Sequence, residues 1–377
     1  MDNLRYHHAL PENDRVDGFT EYNTCDFVLN ADASRALVLG SIRVEADLTI
    51  YEDGTNKIAA GRRIHIDNHV GAHALFDNVS VVLSQGGGQI ENIDNYGRWV
   101  KMFNSATASE DDNHRGDALC ELRTPNLRHT EYMMVEKNTK TSDSNLKILP
   151  DVSVAPKCCL NRPMGAQFLD FAKSGAVRLQ LKMARNVAVL FGADCGTAAH
   201  ADPSYKLTNL RCSFKSVPAQ NQPVILNRVL SMNQSLESNN ASVSTSVPAV
   251  VNAVSATFLT QAAENSYNHN NYLLERPDGI TNIQMNYNDS TNAYQTFRLD
   301  NHQEILKNYL ESLRSAGVND AKLNKIDSND CYGAGIAFNE NIDFSSGNKF
   351  SVQIDSNIDS ANPVVLFMYF HSLLSLQ

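Results

Sequence analysis

The sequence predicts an all-β protein made of two consecutive, similar sandwiches, each with a helix in one long connection. Many short segments alternate apolar and polar residues, only two stretches have a clear helical pattern, and one series of features occurs twice in the same order. Alternation with a period of two is typical of strands with one buried face. Many strands with isolated helices are typical of β-sandwiches.

The repeated series consists of a strand, a helix, an Asp-Phe turn closed by Gly and an alternating strand. In the first copy these features are residues 77–84, residues 93–105, Asp170-Phe171 and residues 177–181. In the second copy they are residues 281–288, residues 302–316, Asp343-Phe344 and residues 350–354. Because distinct elements recur in one order, the sequence predicts two copies of one structural unit.

Chain length supports the same division, since 377 residues exceed the size at which one hydrophobic core usually keeps growing. We expect an N-terminal arm over residues 1–24, a first sandwich over 25–217, a linker over 218–223 and a second sandwich over 224–377. The first sandwich carries a long polar insertion at about residues 106–163, which has no counterpart in the second copy. Long insertions between strands often carry surface function.

Local patterns place the elements in order. In the first half, strands are predicted at residues 25–29, 36–51, 73–84, 131–136, 177–184, 187–191 and 207–217. In the second half they are predicted at residues 224–230, 242–247, 250–261, 279–287, 295–299, 350–354 and 364–371. The second helix, residues 302–316, has apolar residues at helical spacing and Gly317 after its end, as expected for a helix that covers a sheet.

Charge and cysteine usage exclude several classes of protein. The net charge is −10 and no dense run of Lys and Arg occurs, so extensive direct binding of nucleic acid is not expected. The first residues lack the apolar core of a signal peptide, and the apolar tail 364–376 is shorter than the roughly 20 residues of a membrane span. Seven cysteines without a CxxC pair are typical of a reducing compartment such as the cytoplasm.

Two features could suggest ligand sites. His65, His69 and His73 have a spacing that metal ligands on one helix face can have, but Gly71 interrupts it and the surroundings resemble a strand approach. The glycine run 86–88 lacks the Lys-Ser or Lys-Thr of a phosphate loop. We interpret the histidines as polar loop residues and the glycines as a turn between strand and helix.

Two further motifs are also weak. Arg115-Gly116-Asp117 could be an adhesion tripeptide, but so short a motif in a polar loop is expected by chance. Cys158 and Cys159 could be a redox or metal pair, but without a second pair they are read as buried thiols. The sequence therefore assigns no catalytic, cofactor-binding or metal-ligating residue, predicts no cofactor and gives no support for an enzyme.

The element order resembles the double jelly-roll major capsid proteins of icosahedral viruses of the adenovirus-like and tectivirus-like lineage. The resemblance covers about residues 25–370. It is carried by the turn Asp343-Phe344-Ser345 before residues 350–354, by its partner Asp170-Phe171, and by residues 251–259, which look like a long strand of a second jelly roll.

This resemblance implies two consecutive eight-stranded jelly rolls and a homotrimer whose six jelly rolls form a pseudo-hexagonal capsomer of an icosahedral shell around the genome. It implies a place in the virion, with neighbouring capsomers and minor or vertex capsid proteins as partners and an internal membrane as a further candidate. The insertion 106–163 and the loop 264–271 are candidates for an outward tower or for contacts between trimers. Residues 1–23 are the candidate for an arm that reaches neighbours or a membrane.

Other functions stay open at this point. A jelly-roll carbohydrate-binding protein or glycan-processing enzyme would need a groove lined by exposed aromatic residues, and the placement of the single Trp99 on a helix counts against it. Another virion component, such as a vertex or spike protein, would favour a different oligomer. The duplicated sandwich counts against a vertex protein with a single jelly roll.

Overall fold

The computed structural model describes most of the chain. The described residues are 3–58, 64–85, 88–107, 120–123, 133–134, 151–162, 167–196, 201–238, 241–245, 247, 249–276, 280–287, 295–298, 302–318, 332–344, 349–356, 358 and 362–376. Among them, no helix is long and apolar enough to cross a membrane.

Strands dominate both halves of the chain. The strands of the first half are β1 Arg5–Ala9, β2 Thr24–Leu29, β3 Arg35–Val38, β4 Arg43–Tyr51, β5 His65–Ile66, β6 Phe76–Leu83, β7 Gly88–Asp94, β8 Met133–Met134, β9 Asp151–Val154, β10 Phe168–Asp170, β11 Val177–Met183 and β12 Ser204–Pro218. Those of the second half are β13 Val224–Leu236, β14 Ala241–Thr245, β15 Val250–Thr260, β16 Ile280–Tyr287, β17 Gln295–Arg298, β18 Ala334–Asp343, β19 Phe350–Ser356 and β20 Val364–Leu376. The helices are α1 Tyr96–Thr107, α2 Phe171–Ser174, α3 Asn186–Val189, α4 Gln261–Glu264 and α5 His302–Ser315, with a 3₁₀ helix at Gly71–Leu75.

The two halves have the same strand topology. In the first half, one sheet contains the order β1-β12-β4-β9, and the facing sheet has the order β7-β6-β11-β2. In the second half the corresponding orders are β13-β20-β15-β18 and β17-β16-β19-β14. When the strands of the two halves are matched in chain order, each half has the strand order of a jelly roll. The predicted all-β double jelly roll is confirmed.

The repeat seen in the sequence corresponds to this topology. The repeated first strands are β6 and β16, the repeated helices α1 and α5 follow β7 and β17, and the repeated last strands are β11 and β19. Asp170 of the first turn accepts hydrogen bonds from the backbone N–H groups of Gln220 (2.9 Å) and Asn221 (2.7 Å). The turn thereby fixes the segment in which the linker is predicted, between the ends of β12 and β13. The domain boundary at 218–223 stays a prediction.

One large core fills the first jelly roll and continues onto the outer face of the second, and a separate core fills the second jelly roll. Strand β20 lies between the two. Leu366, Met368 and Phe370 belong to the second core, whereas Phe367 and Tyr369 belong to the first. The apolar tail of the sequence is therefore a strand buried on both faces, which needs apolar residues at successive positions.

Several expectations need correction. Residues 5–9, expected in an N-terminal arm over 1–24, form β1, which pairs along its length with β12. The strand predicted at 187–191 is wrong, because Asn186–Val189 is a helical turn. The expected insertion 106–163 contains β9, which pairs with β4 as part of the sandwich. Gly88 begins β7, so the element that follows the glycine run is a strand rather than a helix.

Candidate functional site: the seam between the two jelly rolls

A parallel strand pair joins the jelly rolls into one sheet. Strand β7, at the edge of the first jelly roll, pairs with β13 of the second at Asn92 and Leu230. The backbone N–H of Asp94 donates a hydrogen bond of 2.6 Å to Ser231 Oγ beside this pair. An eight-stranded sheet therefore runs without a break through both units. We call the whole contact the seam: β7, α1 and their neighbours in the first jelly roll against β13, β20 and residues 261–276 of the second.

Glu91 on β7 is a buried carboxylate at the centre of the seam. It accepts hydrogen bonds from Arg162 Nη2 (2.7 Å) and from the backbone N–H groups of Val229 (2.8 Å) and Cys159 (2.5 Å). Burial raises the pKa of Glu91, while the Arg162 charge and the N–H donors act in the opposite direction. The carboxylate thus ties a strand of the second jelly roll to a loop of the first.

A second buried carboxylate, Asp67, joins α1 to the second jelly roll. Its Oδ2 accepts hydrogen bonds from Lys101 Nζ (2.8 Å) and from Asn270 Nδ2 (2.7 Å), and the Lys101 and Asp67 side chains are fully buried. Its Oδ1 accepts from the backbone of His69 and Val70. Burial would raise the pKa of Asp67, but the Lys101 charge and these donors outweigh it and hold the pKa at about 2.

Arg98 on α1 binds the backbone of the second jelly roll. Its Nη1 donates to the carbonyl oxygens of Leu273 (3.0 Å) and Phe258 (3.3 Å). Its Nη2 donates to the carbonyl oxygen of Asn271. The guanidinium carbon lies 4.5 Å from the ring centre of Phe367, a cation–π geometry. Because a guanidinium offers five donors in a fixed plane, it can satisfy several loop carbonyls at once.

Aromatic and polar residues meet where α1 crosses β20. The ring centre of Trp99 lies 5.7 Å from that of Tyr369 and 5.3 Å from that of His371. His371 Nε2 lies 2.9 Å from Ser255 Oγ, which lies 2.9 Å from Ser312 Oγ on α5. All five side chains are buried. This arrangement joins both helices to the outer face of the second jelly roll.

A Ser-His contact could suggest a nucleophile, but its surroundings do not fit one. Burial, with a smaller contribution from Arg162, lowers the pKa of His371 to about 3. Within the described part of the chain, His371 Nδ1 has no hydrogen-bond partner, so no third group orients the imidazole. The pair is enclosed between two packed layers, and we read it as a structural contact.

Close backbone approach also shapes the seam. Gly97 on α1 faces the ring of Tyr272, and a Cβ atom at this position would lie 2.4 Å from Tyr272 Cε1. The Tyr272 hydroxyl donates a hydrogen bond of 3.1 Å to the carbonyl oxygen of Ala74 in the first jelly roll. Glycine at position 97 is therefore what allows the tyrosine to reach across the seam.

The histidines with metal-like spacing are separated by the fold. His65 is in β5, whereas His69 and His73 are buried beside α1. His73 Nδ1 lies 2.8 Å from the Tyr96 hydroxyl, and its Nε2 lies 3.3 Å from Glu121 Oε2. Among the described residues, no three side chains of the His, Cys, Asp or Glu type are placed to hold a metal ion. His69 and His73 are therefore core groups rather than the polar loop histidines that the sequence indicated, and His65 is a half-buried residue of a short strand.

The other weak motifs have different outcomes. Cys158 and Cys159 are buried, and burial raises the pKa of both thiols, to about 12 for Cys158. Thiols that stay protonated are poor nucleophiles. Arg115-Gly116-Asp117 lies outside the described residues, as do Gly86 and Gly87.

The loop 264–271, a candidate for an outward tower or for contacts between trimers, points partly into the seam. Asn270 binds Asp67, and Asn271 Nδ2 donates a hydrogen bond of 2.7 Å to the carbonyl oxygen of Val187 in the first jelly roll. Both asparagines are buried. The end of this loop thus holds the two units together. Most of the insertion 106–163 that precedes β9 lies outside the described residues.

The cleft beside β4, β9 and β12 does not have the exposed aromatic lining of a glycan groove. This cleft has a volume of about 830 Å³, and its lining is mainly polar and aliphatic. Phe19 is the aromatic residue in this lining, and it is 1% exposed. Trp99 is fully buried in the seam. Neither ring is available to stack on a sugar.

Sequence reasoning missed the charged residues of the seam. Their signal was present in α1, whose charged residues are Arg98 and Lys101 and which has no acidic residue. A helix with so little charge and with Trp99 and Val100 beside those two cations is typical of a buried helix. The positions of their partners could not be read from sequence, because Asp67 and residues 271–273 are far away in the chain.

Comparisons with known proteins identify the fold. No protein-family model matches the sequence, and no curated protein matches it. Among solved structures, the Faustovirus major capsid protein is similar over 99% of this chain and 90% of its own, with a TM-score of 0.62 and 10% identity. The PBCV-1 virus capsid is similar over 100% of this chain and 95% of that chain (TM-score 0.60, 10% identity). The Sulfolobus Turreted Icosahedral Virus structure is similar over 98% and 90% (TM-score 0.52, 8% identity). The chain therefore has, over nearly its whole length, the double jelly-roll fold of these capsid proteins.

Proposed function

We propose that this chain is a viral major capsid protein whose trimers form pseudo-hexagonal capsomers of an icosahedral shell. The observation that carries the proposal is the pair of jelly rolls with equivalent strand order, locked by a continuous sheet. This same fold extends over at least 98% of the chain in capsid proteins of several viruses. Its role is mechanical enclosure of a genome.

The geometry suits a tile with six similar walls. Three copies of a chain with two equivalent units place six jelly rolls around one axis, and a near-hexagonal outline packs against neighbours on all sides. Such a tile needs a fixed angle between the two units of each chain. The seam supplies it, because Asp67 and Glu91 gain the Asn270 and Val229 donors, and Arg98 its carbonyl partners, only when both units are in place.

The proposal includes the partners and the location that follow from this role. We expect contacts with neighbouring capsomers and with minor or vertex capsid proteins, and a place in the virion after synthesis in the host cytoplasm. An internal membrane is a further candidate partner. No catalytic step is proposed, since the Ser255–His371 contact and the thiols of Cys158 and Cys159 are buried.

The decisive experiment is the mass of the purified protein, measured by light scattering coupled to size exclusion. A capsomer predicts a compact particle of three times 41.6 kDa. Negative-stain electron microscopy of the same fraction should show a pseudo-hexagonal outline. A strict monomer that binds glycans on an array would contradict the proposal and support the carbohydrate-binding alternative.

A further inference from the structure

Two buried side chains on opposite sides of the seam have polar atoms that no group of the described residues satisfies. Arg162 of the first jelly roll donates to Glu91 through Nη2, and its Nε and Nη1 have no hydrogen-bond partner. His371 of the second jelly roll contacts Ser255 through Nε2, and its Nδ1 has none. Arg162 is 9% exposed and His371 is fully buried. Because buried polar groups in proteins are normally hydrogen-bonded, these three atoms indicate a further partner.

The hydrogen bonds around Ser255 determine which nitrogen of His371 carries the proton. Ser312 Oγ donates a hydrogen bond of 2.7 Å to the carbonyl oxygen of Tyr309, and a serine hydroxyl has a single proton to donate. Ser255 must therefore donate to Ser312, and its oxygen accepts from His371 Nε2. The neutral imidazole then has its proton on Nε2, and Nδ1 is a bare acceptor. His371 thus needs a donor at Nδ1, whereas Arg162 needs acceptors.

Arg162 and His371 lie close together beside Trp99. The guanidinium carbon of Arg162 and the ring centre of His371 each lie 5.3 Å from the Trp99 ring centre. Glu91 connects them through the sheet: it binds Arg162 and the N–H of Val229, and Val229 is paired with His371 between β13 and β20. The positive charge of Arg162 contributes to the low pKa of His371, as expected for neighbours.

We propose that a buried water molecule joins Arg162 to His371 and thereby completes the polar contact between the two jelly rolls. Its oxygen accepts a hydrogen bond from an N–H group of Arg162, and one of its protons is donated to His371 Nδ1. Buried waters usually make about three hydrogen bonds to groups that are otherwise unsatisfied, and this site offers two donors and one acceptor. The inference goes beyond the capsid role and does not depend on the oligomeric state.

The bare nitrogen of His371 distinguishes water from an anion. A chloride ion can accept from Arg162, but it has no proton for Nδ1 and is repelled by the lone pair there. The charge of Arg162 is already balanced by Glu91, 2.7 Å away. The Trp99 ring can receive one N–H of Arg162 on its face, but it offers nothing to Nδ1. A water molecule both accepts and donates, so it satisfies both residues.

A crystal structure at a resolution that shows ordered water tests the site directly. We expect a solvent peak at hydrogen-bond distance, about 2.7–3.2 Å, from His371 Nδ1 and from Nε or Nη1 of Arg162. In His371→Phe the acceptor is lost, so the peak should no longer lie at this position. Tyr369→Phe is the matched control: it removes a β20 hydroxyl that donates directly to the Asn95 carbonyl oxygen, and it should keep the peak.

The proton position on His371 is tested in solution. Long-range proton–nitrogen correlation spectra of protein with isotope-labelled histidine distinguish the two neutral tautomers. We expect His371 to be protonated at Nε2, with Nδ1 shifted as a nitrogen that accepts a hydrogen bond. The signal of His371 is identified by its loss in His371→Gln.

Each result supports or overturns the water site. A solvent peak that contacts both side chains, together with the Nε2 tautomer, supports it. An empty site, a direct hydrogen bond between Arg162 and His371, or a proton on Nδ1 would overturn it. Crystals soaked in bromide address the anion, because bromide is located by its anomalous scattering. A bromide peak between Arg162 and His371 would overturn the water in favour of a halide ion, and its absence with the solvent peak retained supports the water.

Discussion

The two buried carboxylates of the seam, Glu91 and Asp67, each accept hydrogen bonds from both jelly rolls. Glu91 binds Arg162 in its own unit and the Val229 N–H across the seam, and Asp67 binds Lys101 and Asn270 in the same manner. Leaving a buried charge unpaired costs several kcal/mol. Rotation or separation of the units would keep both ion pairs, but it would remove the Val229 N–H from Glu91, Asn270 from Asp67 and the carbonyl partners from Arg98. These contacts across the seam therefore favour one relative geometry of the two units.

Replacing Lys101 should reveal the cost of an unpaired carboxylate. We expect Lys101→Met to lower the free energy of unfolding by about 3–5 kcal/mol, because Asp67 would stay buried without its cation. Urea titration measures the change. Lys307→Met is the control, since Lys307 is 71% exposed and its contact with Glu311 is 3.9 Å, so this change should cost less than about 1 kcal/mol.

The double variant Asp67→Asn with Lys101→Met sharpens this test. Removal of both charges should recover part of the lost stability, since no charge remains buried at this position. If the loss of stability in the double variant equals the sum of the losses in the two single variants, the two side chains act independently. That result would contradict the interpretation of Asp67 and Lys101 as one ion pair.

Stability should fall with acid partly through His371. Its pKa in the folded protein is about 3, below the usual value of 6.5, so the unfolded chain binds a proton first as the pH falls. This contribution is complete above pH 6.5 and is lost between pH 6.5 and 3, at up to about 1.4 kcal/mol per pH unit. Urea midpoints from pH 8 to 5 should fall less in His371→Gln than in wild type. Equal slopes would show that His371 binds a proton as readily in the folded protein as in the unfolded chain, which would contradict its burial as a neutral group.

At the scale of elements, sequence patterns identified strands with one clear buried face and the helix α5, which ends one residue before its expected end. They missed β1, whose sequence Arg5-Tyr6-His7-His8-Ala9 has no apolar alternation. This strand is specified by its pairing with β12, a contact distant in sequence. The strand predicted at 187–191 became α3 because a short apolar run has no distinctive period.

The fit of α1 against the loop before β16 gives a test for one element. Gly97→Ala should destabilise the protein by about 1–3 kcal/mol despite the better helix propensity of alanine, since its Cβ would overlap the Tyr272 ring. Thermal unfolding measures the loss. In a Tyr272→Leu background, Gly97→Ala should change the stability very little. If Gly97→Ala destabilises both backgrounds equally, its effect does not come from the Tyr272 ring.

At the scale of the molecule, the fold could be predicted because duplication leaves a pattern in the order of elements. The seam could not, because it depends on contacts between residues far apart in the chain, such as Arg98 with residues 271–273. The sequence correctly indicated two similar units. It made the loop 264–271 a candidate for an outward tower or for contacts between trimers and did not indicate the seam, since a polar Asn-rich segment has the same pattern whether its amides bind water or a buried carboxylate.

The shared core predicts that both jelly rolls unfold together. Trp99 is the single tryptophan and lies in the seam, so its fluorescence reports on the contact between the units, whereas far-UV circular dichroism reports on all strands. We expect the two signals to change at the same urea concentration. A change in fluorescence at lower urea would show that the seam opens before the units unfold.

Strand β20 is expected to tolerate few amino-acid substitutions. An ordinary surface strand tolerates replacement at every second position, because those side chains face water. From Val364 to Phe370 each side chain is buried, with successive residues facing opposite cores. Saturation mutagenesis should therefore find that substitutions are tolerated poorly at every position from 364 to 370. A sequence change in the core of either jelly roll must remain compatible with β20, because this strand packs against both cores.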